Sequence, residues 1–377
     1  MTIATKFTTG KRKRDMTKKR YIETLLLSAL SALAFLVVGC SDADDGVTPP
    51  VIESVGEPLQ VSHFTRYGVM KDGTTDYDNM TMWLFAIPTN NDTEKPQSGI
   101  VSYNGISDDD GSLSWNSSIY VKNSTIYELY GFIPSYIADS DSGISENGAG
   151  SAKLTLKGLK SLANEDVCII TGAVNGAPDN LTPTDKLYRG FYEYQPLYGG
   201  IRYGVRLLAD HIYASLKFGI FIDGEYHDRR TIKLKKMEVT SNQKAQVNAV
   251  ITLNKVAGTD VPFTTFTTTP VETSDKASQV IFEDAEGQDL MTMTSVPISP
   301  IYFGEWLKND LYLVSTYDVY DKKGNLTREN CTATNKLPSA KTNGLGIGKQ
   351  DSITLTVNPS YLYVLSDPDQ DPKVVIK

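Results

Sequence analysis

The chain of 377 residues contains few of the side chains that most often carry catalysis or bind metals: it has three His and three Cys. His63, His211 and His227 do not form a His-Glu-x-x-His zinc motif, and the sequence holds no Gly-x-Ser-x-Gly elbow and no phosphate-binding glycine loop. We therefore expect no metal site, no cofactor and no catalytic residues. We interpret His211 as a half-buried packing residue at the start of a strand.

Cysteine is too scarce for a disulfide framework. Cys40 belongs to the N-terminal leader described next, which leaves Cys168 and Cys331. These two could form one disulfide if the fold brings them together. Cys168 lies in an apolar run, however, and this favours a simple buried thiol.

The chain begins with a basic segment and a short apolar stretch. Seven Lys or Arg residues at positions 11–20 precede the stretch 25–38, which is short and rich in Ala and Ser for a membrane span. The stretch ends in Val37-Val38-Gly39-Cys40, the cleavage pattern of bacterial lipoproteins. We predict a lipoprotein signal peptide over 1–39 and covalent lipid on Cys40, which would anchor the chain in the outer membrane through several acyl chains.

The residues around this leader leave two questions open. Met16 is an alternative start, because a leader that begins there keeps a basic segment. The acidic run 41–46 resembles the export signal of surface lipoproteins, although a solvated spacer is the alternative. Pro49 and Pro50 favour an extended backbone, so 40–59 is predicted to be a flexible tether.

Acidic residues outnumber basic ones. Of the 37 Lys and Arg and the 45 Asp and Glu, eight and two lie in the leader, which leaves 29 and 43 and a net charge near −14 for the mature chain. This charge argues against nucleic acid and against an anionic membrane surface as partners.

Short runs rich in Val, Ile, Thr and Tyr alternate with turn residues through the rest of the chain, which is typical of an all-β fold. Residues 353–357 alternate most clearly. The alternation of 232–235 breaks at Lys236-Met237, as a β-bulge would cause. Residues 154–164 could hold one short helix.

The length beyond the tether, about 320 residues, exceeds one hydrophobic core. We therefore predict two tandem β-sandwich domains of the transthyretin-like or immunoglobulin-like kind, over 60–205 and 206–377, the second with a tail strand.

Four segments, taken in order, resemble the fimbrillin family, the subunits of type V pili. They are 127–134 (YELYGFIP), 167–173 (VCIITGA), 211–218 (HIYASLKF, with the pattern His-x-x-Ala-x-Leu-x-Phe) and 357–369 (VNPSYLYVLSDPD). The resemblance implies two β-sandwiches, other fimbrillin subunits as partners, and adhesion to a receptor on a host or bacterial surface. It also implies assembly by donor-strand exchange, in which a trypsin-like protease removes the first strand and a neighbouring subunit's tail fills the groove.

Arg66 is the candidate cleavage point, with an uncut surface arginine as the alternative. The candidate donor residues lie in the tail and are Tyr361, Tyr363, Leu365, Val374 and Ile376. The acidic, proline-containing segment 367–372 divides them, so the tail could instead close its own sandwich, as would suit an anchor or tip subunit. The sequence leaves the stalk, tip and anchor roles open.

A surface glycan-binding lipoprotein is the alternative function. Such a protein would display a flat aromatic platform, for which Trp83, Trp115 and Trp306 are the available tryptophans.

Overall fold

Strands of alternating burial form almost all of the chain that the structure, a computed structural model, describes. The described residues are 56–67, 79–106, 113–123, 125–174, 205–256, 261–342, 345–358 and 373–376, with the backbone alone at 62–67, 174, 340 and 373–376. The strand Gln350–Asn358 shows the pattern: Ile353, Leu355 and Val357 are buried, whereas Ser352 just before them and Thr354 among them are exposed. The predicted all-β class is confirmed.

The described residues form twenty-two strands, two short helices and one 3₁₀ turn. The strands of the first half are β1 (Glu57–Pro58), β2 (Val61–Tyr67), β3 (Thr81–Pro88), β4 (Gln97–Ile106), β5 (Leu113–Ser117), β6 (Tyr120–Val121), β7 (Tyr127–Ile133), β8 (Gly143–Glu146), β9 (Ser151–Lys160), β10 (Leu162–Ala163) and β11 (Cys168–Val174). The strands of the second half are β12 (Val205–His211), β13 (Tyr213–Ile222), β14 (Arg230–Lys244), β15 (Gln246–Asn254), β16 (Phe263–Pro270), β17 (Lys276–Asp289), β18 (Ile301–Gly304), β19 (Tyr312–Asp321), β20 (Leu326–Lys336), β21 (Gln350–Asn358) and β22 (Lys373–Ile376). The helices are α1 (Gly224–His227) and α2 (Ser339–Thr342), and the 3₁₀ turn is Glu305–Leu307.

A seven-stranded sheet with the order β2-β12-β11-β7-β3-β4-β5 organises the first sandwich. One face carries its own apolar cluster, to which β3 contributes Met82 and Leu84 and β12 contributes Leu207. The opposite face packs on a four-stranded sheet with the order β16-β15-β9-β8. β7 is buried along its whole length because both of its faces are covered in this way.

The second sandwich places a five-stranded sheet, β10-β18-β13-β21-β22, against a four-stranded sheet, β17-β14-β19-β20. Leu216, Phe218 and Ile220 of β13 point into the core between them, as their alternation predicts. The bulge predicted at Lys236 is confirmed, because the pairing of β14 with both of its neighbours shifts register between Leu234 and Lys236.

Strand pairing crosses residue 205 in both directions. β12 joins β11 in the seven-stranded sheet, whereas β15 pairs with β9 in the four-stranded sheet that covers it. Residues from Ser54 onward form one compact unit. The predicted division of the chain into two domains at residue 205 stays a prediction.

Two local expectations were wrong. Residues 154–164 form strands rather than a helix, since β9 alternates Leu154 and Leu156 inward and pairs with β8 and β15 on its two sides. His211 ends a strand rather than beginning one, and its side chain is almost fully buried.

Candidate functional site

The strand nearest the tether, β2, forms one end of the seven-stranded sheet. It lies parallel to β12, with pairs that run from Val61 and Val205 to Tyr67 and Asp210. β12 is held on its other side by β11. β2 can therefore leave without dividing the sheet, since it is bonded there only at the edge of β12.

The residues just before β2 insert into the fold on two sides. The side-chain amide of Gln60 donates to the carbonyl of Trp115 at 3.1 Å and accepts from the Trp115 amide at 3.2 Å. The carbonyl of Gln60 accepts from the Val205 amide at 2.8 Å. Leu59 and Val61, on either side of Gln60, are fully buried in the apolar cluster. This segment therefore fills a slot between β12 and residues 115–119.

Removal of this segment would open an apolar groove. Val205, Leu207 and Ala209 of β12 belong to the same buried cluster as Leu59 and Val61. The Val205 amide would also lose its acceptor, and an exposed, unpaired strand edge is a strong template for another strand. Such a groove beside an unpaired strand edge would accommodate an added strand by β-augmentation.

The predicted cleavage residue, Arg66, lies near the end of β2, where its backbone pairs with Ala209. At the other end of the chain, β22 lies antiparallel to β21, and Val374 and Ile376 pair with Val357 and Leu355. β22 ends the five-stranded sheet. Tyr361, Tyr363, Leu365 and Cys40, the predicted lipidation site, lie outside the described residues.

The three tryptophans do not form an exposed platform. Trp115 is almost fully buried, and its ring makes an edge contact with Tyr103 at a centroid distance of 5.6 Å. Trp83 and Trp306 are partly buried against the cluster between the seven-stranded and four-stranded sheets. Trp306 also donates to the Ser161 hydroxyl at 3.0 Å. These positions serve packing, so no observation favours the glycan-binding alternative.

A partly buried ion pair links the layers of the first sandwich, with Glu128 as its buried member. Nζ of Lys255 lies 2.5 Å from Oε1 of Glu128 on β7 and 3.2 Å from Oε1 of Glu146 on β8. Tyr130 donates to the other oxygen of Glu128 at 2.9 Å. Burial, the largest single influence, acts to lower the pKa of Lys255, but the hydrogen bonds and charges of both glutamates outweigh it and raise that pKa. Sequence reasoning missed this contact because its partners lie on three separate segments.

A second buried polar cluster also went unpredicted. Asp166, Cys168 and His211 bring a carboxylate, a thiol and an imidazole within 4.8 Å of one another. The tertiary fold is needed for this, since β11 and β12 pair Cys168 directly with His211. Neither Cys168 nor Cys331 is in a disulfide, and Cys168 is buried as predicted.

Among the residues that the structure describes, no helix is long and apolar enough to cross a membrane. No protein-family model matches the sequence, and no curated protein matches it.

Solved structures that the fold resembles include a fimbrial protein from Bacteroides vulgatus and the fimbrial anchor protein Mfa2 from Porphyromonas gingivalis. The former is 11% identical, with a TM-score of 0.30 over 85% of this chain and 98% of that one. The latter is also 11% identical, with a TM-score of 0.24 over 85% of this chain and 96% of that one. These are proteins of the kind that the sequence motifs resemble.

Proposed function

We propose that this chain is a structural, non-enzymatic subunit of a type V fimbria that supports cell adhesion. It is exported as a lipoprotein, held at the outer membrane by lipid on Cys40, and assembled with other fimbrillin subunits by donor-strand exchange. Its role as stalk, tip or anchor is not assigned.

The observation that carries the proposal is the position of β2. This strand is the first long strand after the tether, lies at the edge of its sheet, and is bonded there to β12. Leu59 and Val61, which enter the core with it, are fully buried. Cleavage after Arg66 would break the covalent link between this segment and the rest of the chain. Once the segment leaves, the vacated apolar surface provides the driving force for a replacement strand.

β22, near the C-terminal end of the chain, is a short edge strand and is our candidate for the donor. β22 pairs with β21 through four residues at a sheet edge, so few hydrogen bonds hold it in place. In the proposed assembly, the tail leaves β21 and enters the groove of a cleaved neighbour. A tail that stays on β21 would instead end the polymer, as an anchor or tip subunit requires.

Limited cleavage by a trypsin-like protease tests the proposal. The purified chain should be cut after Arg66 and then form a ladder of polymers, measured by gel electrophoresis without boiling and by light scattering. Arg66→Gln is the matched control and should stay uncut at this position and monomeric.

Two results would count against strand exchange. One is a chain that is cleanly cut after Arg66, shown by mass spectrometry, yet remains monomeric at high concentration. The other is an equal ladder from the Arg66→Gln chain, which would mean that polymer formation does not depend on release of β2.

A further inference from the structure

We infer that Asp166, Cys168 and His211 form a binding site for one divalent transition-metal ion of the zinc type, at the junction of β11 and β12. The inference is independent of the fimbrial function. It rests on the donor atoms of these three residues, on their spacing and on their burial.

The backbone aims the three side chains at one point. Cys168 and His211 are directly opposed residues of an antiparallel pair, so their side chains project to the same face of the sheet. Asp166 lies two residues before Cys168, and alternate residues of an extended chain also share a face. The set combines the thiolate, imidazole and carboxylate ligands that zinc uses.

The distances approach those of a tetrahedral site. Sγ of Cys168 lies 3.5 Å from Nδ1 of His211 and 3.5 Å from Oδ2 of Asp166. Nδ1 of His211 lies 2.9 Å from Oδ2 and 3.0 Å from Oδ1 of Asp166. Ordinary zinc–ligand bond lengths place sulfur and nitrogen about 3.5 Å apart around a tetrahedral ion, and nitrogen and oxygen about 3.4 Å apart.

Of these distances, only those between Nδ1 of His211 and the Asp166 oxygens are shorter than a zinc site requires. They have the length of a hydrogen bond. The carboxylate therefore needs to move by about 0.4 Å when an ion replaces the shared proton. Binding would release the thiol proton to solvent and move the imidazole proton from Nδ1 to Nε2, so that each ligand presents a lone pair.

The three proposed ligands are mostly shielded from solvent. The side chain of His211 is 2% exposed and that of Asp166 is 11% exposed. Cys168 is fully buried. Asp166 is thus the most exposed of the three, and three protein ligands leave a fourth tetrahedral position for water.

Titration of the chelator-treated chain with Zn²⁺ and Co²⁺ tests the inference. The Cys40→Ser/Cys331→Ser chain retains Cys168 as its sole thiol, because the sequence contains three cysteines. It should bind one equivalent of Co²⁺ and show a thiolate-to-metal charge-transfer band, which Zn²⁺ then abolishes by displacement. His211→Gln should weaken Zn²⁺ binding at least tenfold, whereas His227→Gln, on α1, should leave it unchanged.

Three results would overturn the inference: no stoichiometric binding, cobalt binding without a thiolate band, or equal weakening by His211→Gln and His227→Gln. Any of them would mean that the three residues form a hydrogen-bonded cluster only. Should His211→Gln fail to fold, the cobalt spectrum of the single-thiol chain decides by itself, because that chain keeps all three proposed ligands.

Discussion

β2, the first long strand that the structure describes, and β22, the last strand that it describes, lie at the edges of different sheets and are held very differently. β2 has seven residues, and the half-buried Gln60 just before it bonds both Val205 of β12 and the backbone of Trp115. β22 has four residues, all paired with β21. The N-terminal strand is thus fixed on two sides and requires a covalent cut for its release. The C-terminal strand can detach without one, and this difference suits an acceptor at one end and a donor at the other.

Removal of the tail should have the largest effect, which is the loss of polymer formation. A chain that ends at Asn358 should still be cut after Arg66 but form no ladder, because it keeps the groove and lacks the donor. A synthetic peptide of residues 361–377 should then bind the cut chain with one-to-one stoichiometry, measured by native mass spectrometry.

A scrambled peptide of the same composition is the control for that experiment. Polymerisation of the cut, tail-less chain would show that the donor strand lies elsewhere. The assignment of the donor to the C-terminal tail would then be wrong.

The N-terminal strand also lies between the proposed anchor and the rest of the protein. Cys40→Ala should shift the protein from the membrane fraction to the soluble fraction, since several acyl chains are needed for stable anchoring. Cleavage after Arg66 should release the wild-type chain in the same way, because it separates Cys40 from the fold. Immunoblots of the cell fractions measure both, with Cys331→Ala as the control, and membrane retention of the Cys40→Ala chain would refute the lipid anchor.

Loss of the Lys255–Glu128 ion pair should destabilise the first sandwich more than the second. Lys255→Met should lower the free energy of unfolding by about 3 kcal/mol, because it leaves the carboxylate of Glu128 buried without its cation. Hydrogen exchange should increase in β7 to β9 and much less in β19 to β21.

Lys157→Met is the matched control for that variant. Nζ of Lys157 lies 2.6 Å from Oδ2 of Asp141, but both side chains are about half exposed. Loss of such a surface pair should change the free energy of unfolding by about 0–1 kcal/mol. Equal destabilisation by the two variants would show that Lys255 does not fasten the layers.

The smallest expected effect of Lys255→Met is on how far the stability of the chain falls as pH rises above 9. The pKa of Lys255 is raised in the folded chain, so its contribution is complete below the unfolded-state pKa of about 10.4 and is lost as pH rises through the higher folded value. Thermal unfolding between pH 9 and pH 11 should therefore show a smaller decline in Tm for Lys255→Met than for the wild type. Identical declines would contradict this assignment.

Residues that alternate strictly were the ones whose structure could be predicted. The core positions of β13 and β21 and the bulge in β14 follow from the period-two pattern, because burial of one face requires it. By local pattern residues 154–164 are compatible with a short helix, because their apolar run is short and mixed, but pairing with β8 and β15 makes them strands. The order of strands in the sheets could not be predicted from local pattern, since it depends on contacts between distant segments.

The sequence by itself determined that this is an all-β protein, because side-chain alternation and turn residues act locally along the chain. Only the tertiary structure decided that β2 lies at a sheet edge beside β12, that Lys255 reaches Glu128, and that Asp166 and Cys168 meet His211. Each of these contacts joins residues that are far apart in the chain, where burial and strand register, rather than local preference, fix the partner.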